Sequence, residues 1–260
     1  MGNPRLQLSL NATRLSSVIN TAVVSTNEIV NFHFDALDGA DLAQPSPCTE
    51  KFRVRGQEMT AAERRALHEN WILSKAFQDL LRAVRHALED AFVFGALLTK
   101  THQVKSNATL AEFIAPFQAK ASAMKFPELL DAVNCKLTSK IEFSQAYMSL
   151  QTARNCLEHR AGVITKIETH QRDEFVLRVP RVKMFYIRNG EEIELEPGHT
   201  VDPGDDRAEV DTFAKFEIRA RSFSIGQRLS FTKAQFNEIA FACYLLGQQL
   251  ATRLPKPEIL

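Results

Sequence analysis

Residues 139–164 read SKIEFSQAYMSLQTARNCLEHRAGVI, and this stretch divides the chain. Ser139-Lys140-Ile141-Glu142 has the form of a capping box, a hydroxyl residue followed three positions later by glutamate, and so announces a helix. Phe143, Tyr147, Leu150, Arg154 and Leu157 recur at spacings of three and four, which describes one helix face. The pattern stops near Arg160, where Gly162 suits a C-terminal cap and β-branched Val163 and Ile164 follow.

Upstream, the periodicity is helical. Leu15, Val18, Ile19, Ala22 and Val23 predict a helix near 13–35. Residues 39–58 hold Pro45, Pro47 and Gly56 and read as a connection, with a short strand at Phe52-Arg53-Val54. Thr60-Ala61-Ala62-Glu63 is a second capping box. It opens a proline-free pattern to about residue 100, read as one spine helix or as two with a bend near Gly95. Thr109-Leu110-Ala111-Glu112 caps a third helix, and Phe126-Pro127 begins a fourth through Leu137.

Downstream of Gly162 the chain turns to β patterns. Phe175–Val179 and Val182–Ile187 are rich in β-branched and aromatic residues and predict two strands. Asn189-Gly190, placed between Ile187 and Ile193, is a two-residue hairpin signal. A polar loop spans 197–209, and two further strands are expected near 211–221 and 222–231. Thr232-Lys233-Ala234-Gln235 caps a final helix whose apolar face must cover the sheet or rejoin the helices. The expectation is an α+β chain: a helical domain over 1–162, then an antiparallel β-rich module over 163–260 closed by the last helix.

The composition is that of a globular protein, with 45% apolar and 24% charged residues. A net charge of +1 gives no overall basic footprint for holding long nucleic acids, which excludes little for a nuclease with a small local site. Cys48, Cys135, Cys156 and Cys243 lie far apart with no CxxC pair, so reduced thiols are the default. The N-terminal residues lack a secretory pattern, and no stretch has the ~20 apolar residues of a membrane span. These features predict a cytoplasmic protein without a membrane partner. There is no glycine-rich phosphate loop, and no cofactor or metal is called for.

The candidate chemistry lies in Arg154-Asn155-Cys156-Leu157-Glu158-His159. Of seven histidines, only His159 follows an arginine by five positions. Arginine offers a planar fork of donors matched to phosphate oxygens, and histidine exchanges a proton near neutral pH. The pair suits work on a phosphodiester. Arg154 falls on the stripe expected to be buried, where its charge needs a partner. In an unbroken helix residues five apart point about 140° from each other, so one helix alone is not expected to converge Arg154 and His159. Asn155 and His159, by contrast, share a face. Cys156 reads as a small core residue.

The arginine, polar residue, spacer and histidine resemble the signature of HEPN-superfamily ribonucleases. The resemblance implies an HEPN-like helical bundle in the first domain. It also implies metal-independent cleavage of single-stranded RNA at a homodimer interface, the ribose 2′-OH attacking its own phosphate. His159 would move the proton, Arg154 would bind the phosphate, and Asn155 would orient it. A toxin or phage-defence role, with an antitoxin or other defence-system partner, is implied in the same way. Arg160, Arg178, Arg181 and Lys183 are the further candidate RNA contacts. Between the strand cations, residues 191–211 carry nine acidic residues and only Arg207. The competing expectation is a non-catalytic HEPN-like scaffold, with an Arg154–Glu158 helix-surface ion pair and a histidine at a helix C-terminus.

Overall fold

Every capping signal upstream of the sheet can be followed into the computed structural model, which describes residues 11–43, 58–98, 109–195 and 211–255. The helices are α1 (Thr13–Asp38), α2 (Ala61–Leu98), α3 (Leu110–Ala123), α4 (Phe126–Asn134), α5 (Ser144–Arg160), the single turn α6 (Lys166–Thr169) and α7 (Lys233–Arg253). The strands β1 (Glu174–Arg188), β2 (Glu191–Glu194) and β3 (Thr212–Ser224) form one antiparallel sheet in the order β2-β1-β3. The α+β class is therefore as expected. The expected strand at 52–54, the loop at 197–209 and Cys48 lie outside the described residues.

α2 is one helix. Gly95 does not interrupt it. A Cβ there would come within 2.8 Å of the Lys136 side chain, so the glycine lets the chain after α4 lie against the spine. The capping boxes at Thr109 and Thr232 form as expected, each hydroxyl accepting from the backbone N–H three residues on.

The start of α5 departs from expectation, and the cause is α7. Glu142 does not reach back to Ser139. Its carboxylate pairs with Arg253, its N–H donates to Gln249 Oε1 at 2.7 Å, and Ile141 N–H donates to Asn134 Oδ1 at 2.8 Å. These long-range bonds hold residues 140–142 out of the helix, and Phe143 enters it at φ 59°. The far end is as expected: Ala161 at φ 49° and Gly162 at φ 79° turn the chain out, a conformation glycine adopts without a Cβ clash.

The sheet is simpler than the sequence suggested. β1 runs unbroken through Pro180. The N–H of Arg178, two residues before, points away from β3 and donates to Ser149 Oγ at 2.9 Å, so the proline nitrogen faces the same unpaired edge and no ladder bond is lost. Ser149 Oγ also donates to Arg178 O at 3.2 Å, closing the edge of β1 that β2 leaves open. Asn189 (φ 54°) and Gly190 (φ 80°) make the β1–β2 turn with both residues left-handed, as a two-residue hairpin requires. The fourth expected strand, 222–231, splits: its first residues finish β3. The rest folds back on the end of α5, where Ile164 N–H bonds Gln227 O at 2.9 Å and Leu229 N–H bonds Gly162 O at 2.8 Å.

α7 does both things open to it, packing on α1 and α2 and also on β1. One hydrophobic core takes Ile19, Phe77, Leu129, Tyr147, Leu177, Phe223 and Leu246, and so crosses the change of pattern at Gly162. Phe77 of α2 stacks on Phe231 with ring centroids 5.1 Å apart, and buried Tyr147 donates to Ala242 O at 3.1 Å. Aromatic burial of this kind supplies a large share of the packing energy, and the tyrosine hydroxyl is satisfied where it lies.

Candidate functional site

The inward face of α5 is made by Ala146, Tyr147, Leu150, Ala153, Cys156 and Leu157, all buried. Arg154 lies at the border of that stripe rather than in it, its side chain 22% exposed. On the solvent side of α5 a cleft of about 830 Å³ opens between the start of α4, the corner after α6 and the first residues of β1. Arg154 and Asn155 line it; His159 does not.

Arg154 ion-pairs with Glu158 through both terminal guanidinium nitrogens, Nη2 lying 3.0 Å from Oε1, and a third contact runs from Nη1 to Asn155 Oδ1 at 3.4 Å. Asn155 Oδ1 also accepts from Gln151 Nε2 at 2.9 Å. His159 is largely exposed, and its Nε2 lies 3.6 Å from Glu158 Oε2, the oxygen that Arg154 Nη1 also contacts. Arg154 and His159 therefore diverge as their spacing predicts, the first lining the cleft and the second outside it, and Glu158 is in contact with both. The long guanidinium reaches forward one turn, and one carboxylate oxygen lies between the two groups.

The walls of the cleft are basic. Arg85, Lys125, Arg154, Arg172 and Arg178 face it, against Glu168 and Glu174. Arg85 is committed to Glu89 at 2.8 Å and to Met124 O at 2.8 Å. Lys125, Arg172 and Arg178 have no ion-pair partner among the described residues. Uncommitted cations on three elements converging on one cleft form a local positive field that the net charge of the chain conceals.

The other candidate RNA contacts have structural work. Arg160 pairs with Glu168, whose side chain is fully buried. Burial pushes the Glu168 carboxyl up, but hydrogen bonds from the Thr165 hydroxyl and amide and the charge of Arg160 outweigh it and hold the group below its ordinary value. Arg181 is 9% exposed and held by Glu194, Glu217 and Glu238, and Lys183 pairs with Glu192 at 3.1 Å. Hydrogen bonds from Arg181 hold the Glu194 carboxyl below its ordinary value. Of the strand cations named from sequence, Arg178 is the one in the cleft. Cys156 donates to Val163 O at 3.3 Å, and burial pushes its thiol up to about 11, which removes it as a nucleophile near neutral pH.

Sequence reasoning groups Arg172 with the strand cations but misses Lys125 and His170. The signal was present: Thr165-Lys166-Ile167-Glu168 is a capping box, and it forms, with Thr165 N–H and hydroxyl both 2.8 Å from Glu168 Oε2. Recognising it would have placed a turn, and so an exposed corner, at His170. Among the described residues no group of three or more His, Cys, Asp or Glu is arranged to hold a metal ion, and no helix is long and apolar enough to cross a membrane. Compared with protein-family models, with curated proteins and with solved structures, the chain matches none.

Proposed function

We propose that this protein is an HEPN-like endoribonuclease that draws single-stranded RNA into the cleft beside α5 and cleaves it with Arg154 and His159. The observation that carries the reading is the shared Glu158 oxygen. A carboxylate oxygen between a guanidinium and an imidazole marks a point that a phosphate oxygen suits equally well. In the bound complex Arg154 turns from Glu158 to the phosphate and stabilises the charge that grows on it. His159 exchanges a proton with the ribose hydroxyl, Glu158 stays beside it to stabilise the imidazolium, and Asn155 orients the phosphate. Lys125, Arg172 and Arg178 hold the flanking backbone. His159 projects from the exposed end of α5, so that in a homodimer two motif helices face each other and extend the site. A toxin or defence effector, with a partner that restrains it, is the biological setting that fits such an enzyme.

The test is to incubate the purified chain with mixed RNA in the presence of a chelator. Fragments ending in 2′,3′-cyclic phosphate are expected; a strict requirement for magnesium would overturn the mechanism.

A second reading has a specific observation behind it. The bonds from Arg154 to Glu158 and Asn155, and from Gln151 to Asn155, are all internal to α5, as they would be in a non-catalytic scaffold. In that case His159→Ala changes nothing the protein does.

A further inference from the structure

The cleft that takes in Arg154 excludes His159 but contains another imidazole, that of His170. His170 follows α6 at φ 49°, and Gln171 after it has φ 69°. Two successive non-glycine residues in the left-handed region are uncommon and cost free energy, so the surrounding structure has to impose them. It does so from both sides. Glu168 and Thr169, directly before, are 1% and 2% exposed, and Phe175 shortly after is 5% exposed. The Thr165 capping box fixes the turn, Arg172 N–H closes it on Thr169 O at 3.0 Å, and the Arg160–Glu168 pair ties it to the end of the motif helix. The histidine itself is exposed, and its ring has no hydrogen-bond partner among the described residues. An exposed, unpaired histidine on a backbone-strained corner that lines a cleft is available to something that enters the cleft. The charged groups lining the same cleft are Arg85 from α2, Lys125 from the start of α4, Arg154 from α5, Glu168 and Arg172 on its own segment, and Glu174 and Arg178 from β1.

We propose, resting on the ribonuclease reading, that His170 is a second catalytic histidine and that it protonates the leaving group. The bond from the ribose 2′-oxygen to phosphorus forms as the bond from phosphorus to the 5′-oxygen breaks. His159, supported by Glu158, takes the 2′-hydroxyl proton, and the His170 imidazolium gives a proton to the departing 5′-oxygen. The products are a 2′,3′-cyclic phosphate and a 5′-hydroxyl, and no metal, water or oxidant is consumed. One chain then carries both proton transfers, and Arg154, which lines the cleft with His170 and shares Glu158 with His159, binds the phosphate.

The test compares the full-length protein with its His170→Asn, His170→Ala and His159→Ala variants in chelator, on an oligoribonucleotide and on uridine 3′-(4-nitrophenyl phosphate). Nitrophenolate leaves without needing a proton. Asparagine tolerates the left-handed conformation, so His170→Asn keeps the corner folded. Both His170 variants are expected to lose about 100-fold or more of RNA cleavage while keeping most of their activity on the aryl ester. His159→Ala is expected to lose both. Binding of a 2′-O-methyl oligonucleotide should be unchanged in His170→Asn. RNA cleavage by His170→Asn at the parental rate would overturn this assignment and leave the ribonuclease reading standing. Equal loss on both substrates would overturn the leaving-group role. No cleavage of either substrate by the parental protein would overturn both readings.

Discussion

Glu158 stands between the two groups of the motif: its Oε2 lies 3.6 Å from His159 Nε2 and pairs at the same time with Arg154. On the proposed ribonuclease reading, the carboxylate competes with RNA for the arginine in the free protein and supports the histidine in the complex. Replacing it separates the two roles. Glu158→Gln is expected to bind a non-cleavable RNA about two- to fivefold more tightly, because a partly exposed ion pair holds Arg154 only weakly. The same variant should turn over about tenfold more slowly at saturating RNA, because the imidazolium loses its counter-charge. A titration and a saturation curve on one preparation check both directions.

Lys125, Arg172 and Arg178 have no ion pair to lose among the described residues. Arg172→Ala and Arg178→Ala should each weaken RNA binding and reduce the slope of log affinity against log salt by about 0.7, the value for one phosphate contact on a single strand. Their melting temperatures should match the parent. Arg181→Ala should behave in the opposite way, losing stability because Glu194, Glu217 and Glu238 are left together without their shared cation.

Arg160 and Glu168 join the end of the motif helix to the corner that carries His170. Removing the arginine strands a carboxylate whose side chain is fully buried, and Arg160→Met is expected to cost about 3 kcal/mol in chemical denaturation. The pH dependence follows from the direction of the Glu168 shift. Its carboxyl titrates lower in the folded chain than its ordinary 4.5, so its contribution is present above that pH and is lost as pH falls through the lower, folded value. Denaturation of the parent at pH 7 and across the acid range should show that loss, and Thr165→Ala should shrink it by removing the hydroxyl's hydrogen bond to Glu168 while the backbone amide still donates.

Ser149 closes the open edge of β1 through its hydroxyl, which both donates to and accepts from Arg178. Ser149→Ala should destabilise by about 1–2 kcal/mol, the cost of an unpaired backbone donor, and loosen Arg178 in the cleft. Hydrogen exchange at Arg178 is the direct readout: faster exchange is expected with little change at Phe223.

Local signals proved legible and long-range ones did not. The capping boxes at Thr109 and Thr232, the Asn189-Gly190 turn and the Gly162 stop depend on residues within a few positions of one another, and each forms as expected. The Ser139 box fails because Gln249 and Arg253, more than a hundred positions on, take the groups it needs. Pro180 reads as a strand break until it is known which edge of β1 its nitrogen faces, and that depends on where α5 packs. The same holds for the site. Arg154, Asn155 and His159 announce themselves by spacing. Arg178 is a candidate contact from sequence, but Lys125, at the start of α4, and Arg172, on the corner after α6, group with it only when those elements and β1 meet.

The most direct measurement is single-turnover cleavage of a labelled RNA in chelator by the parental chain, Arg154→Ala and His159→Ala, all shown to share one melting temperature. A ribonuclease working through Arg154 and His159 yields cyclic-phosphate products from the parent, with the rate reduced about 100-fold or more in each variant. RNA left intact by the parent, or cut by His159→Ala at the parental rate, would contradict that mechanism.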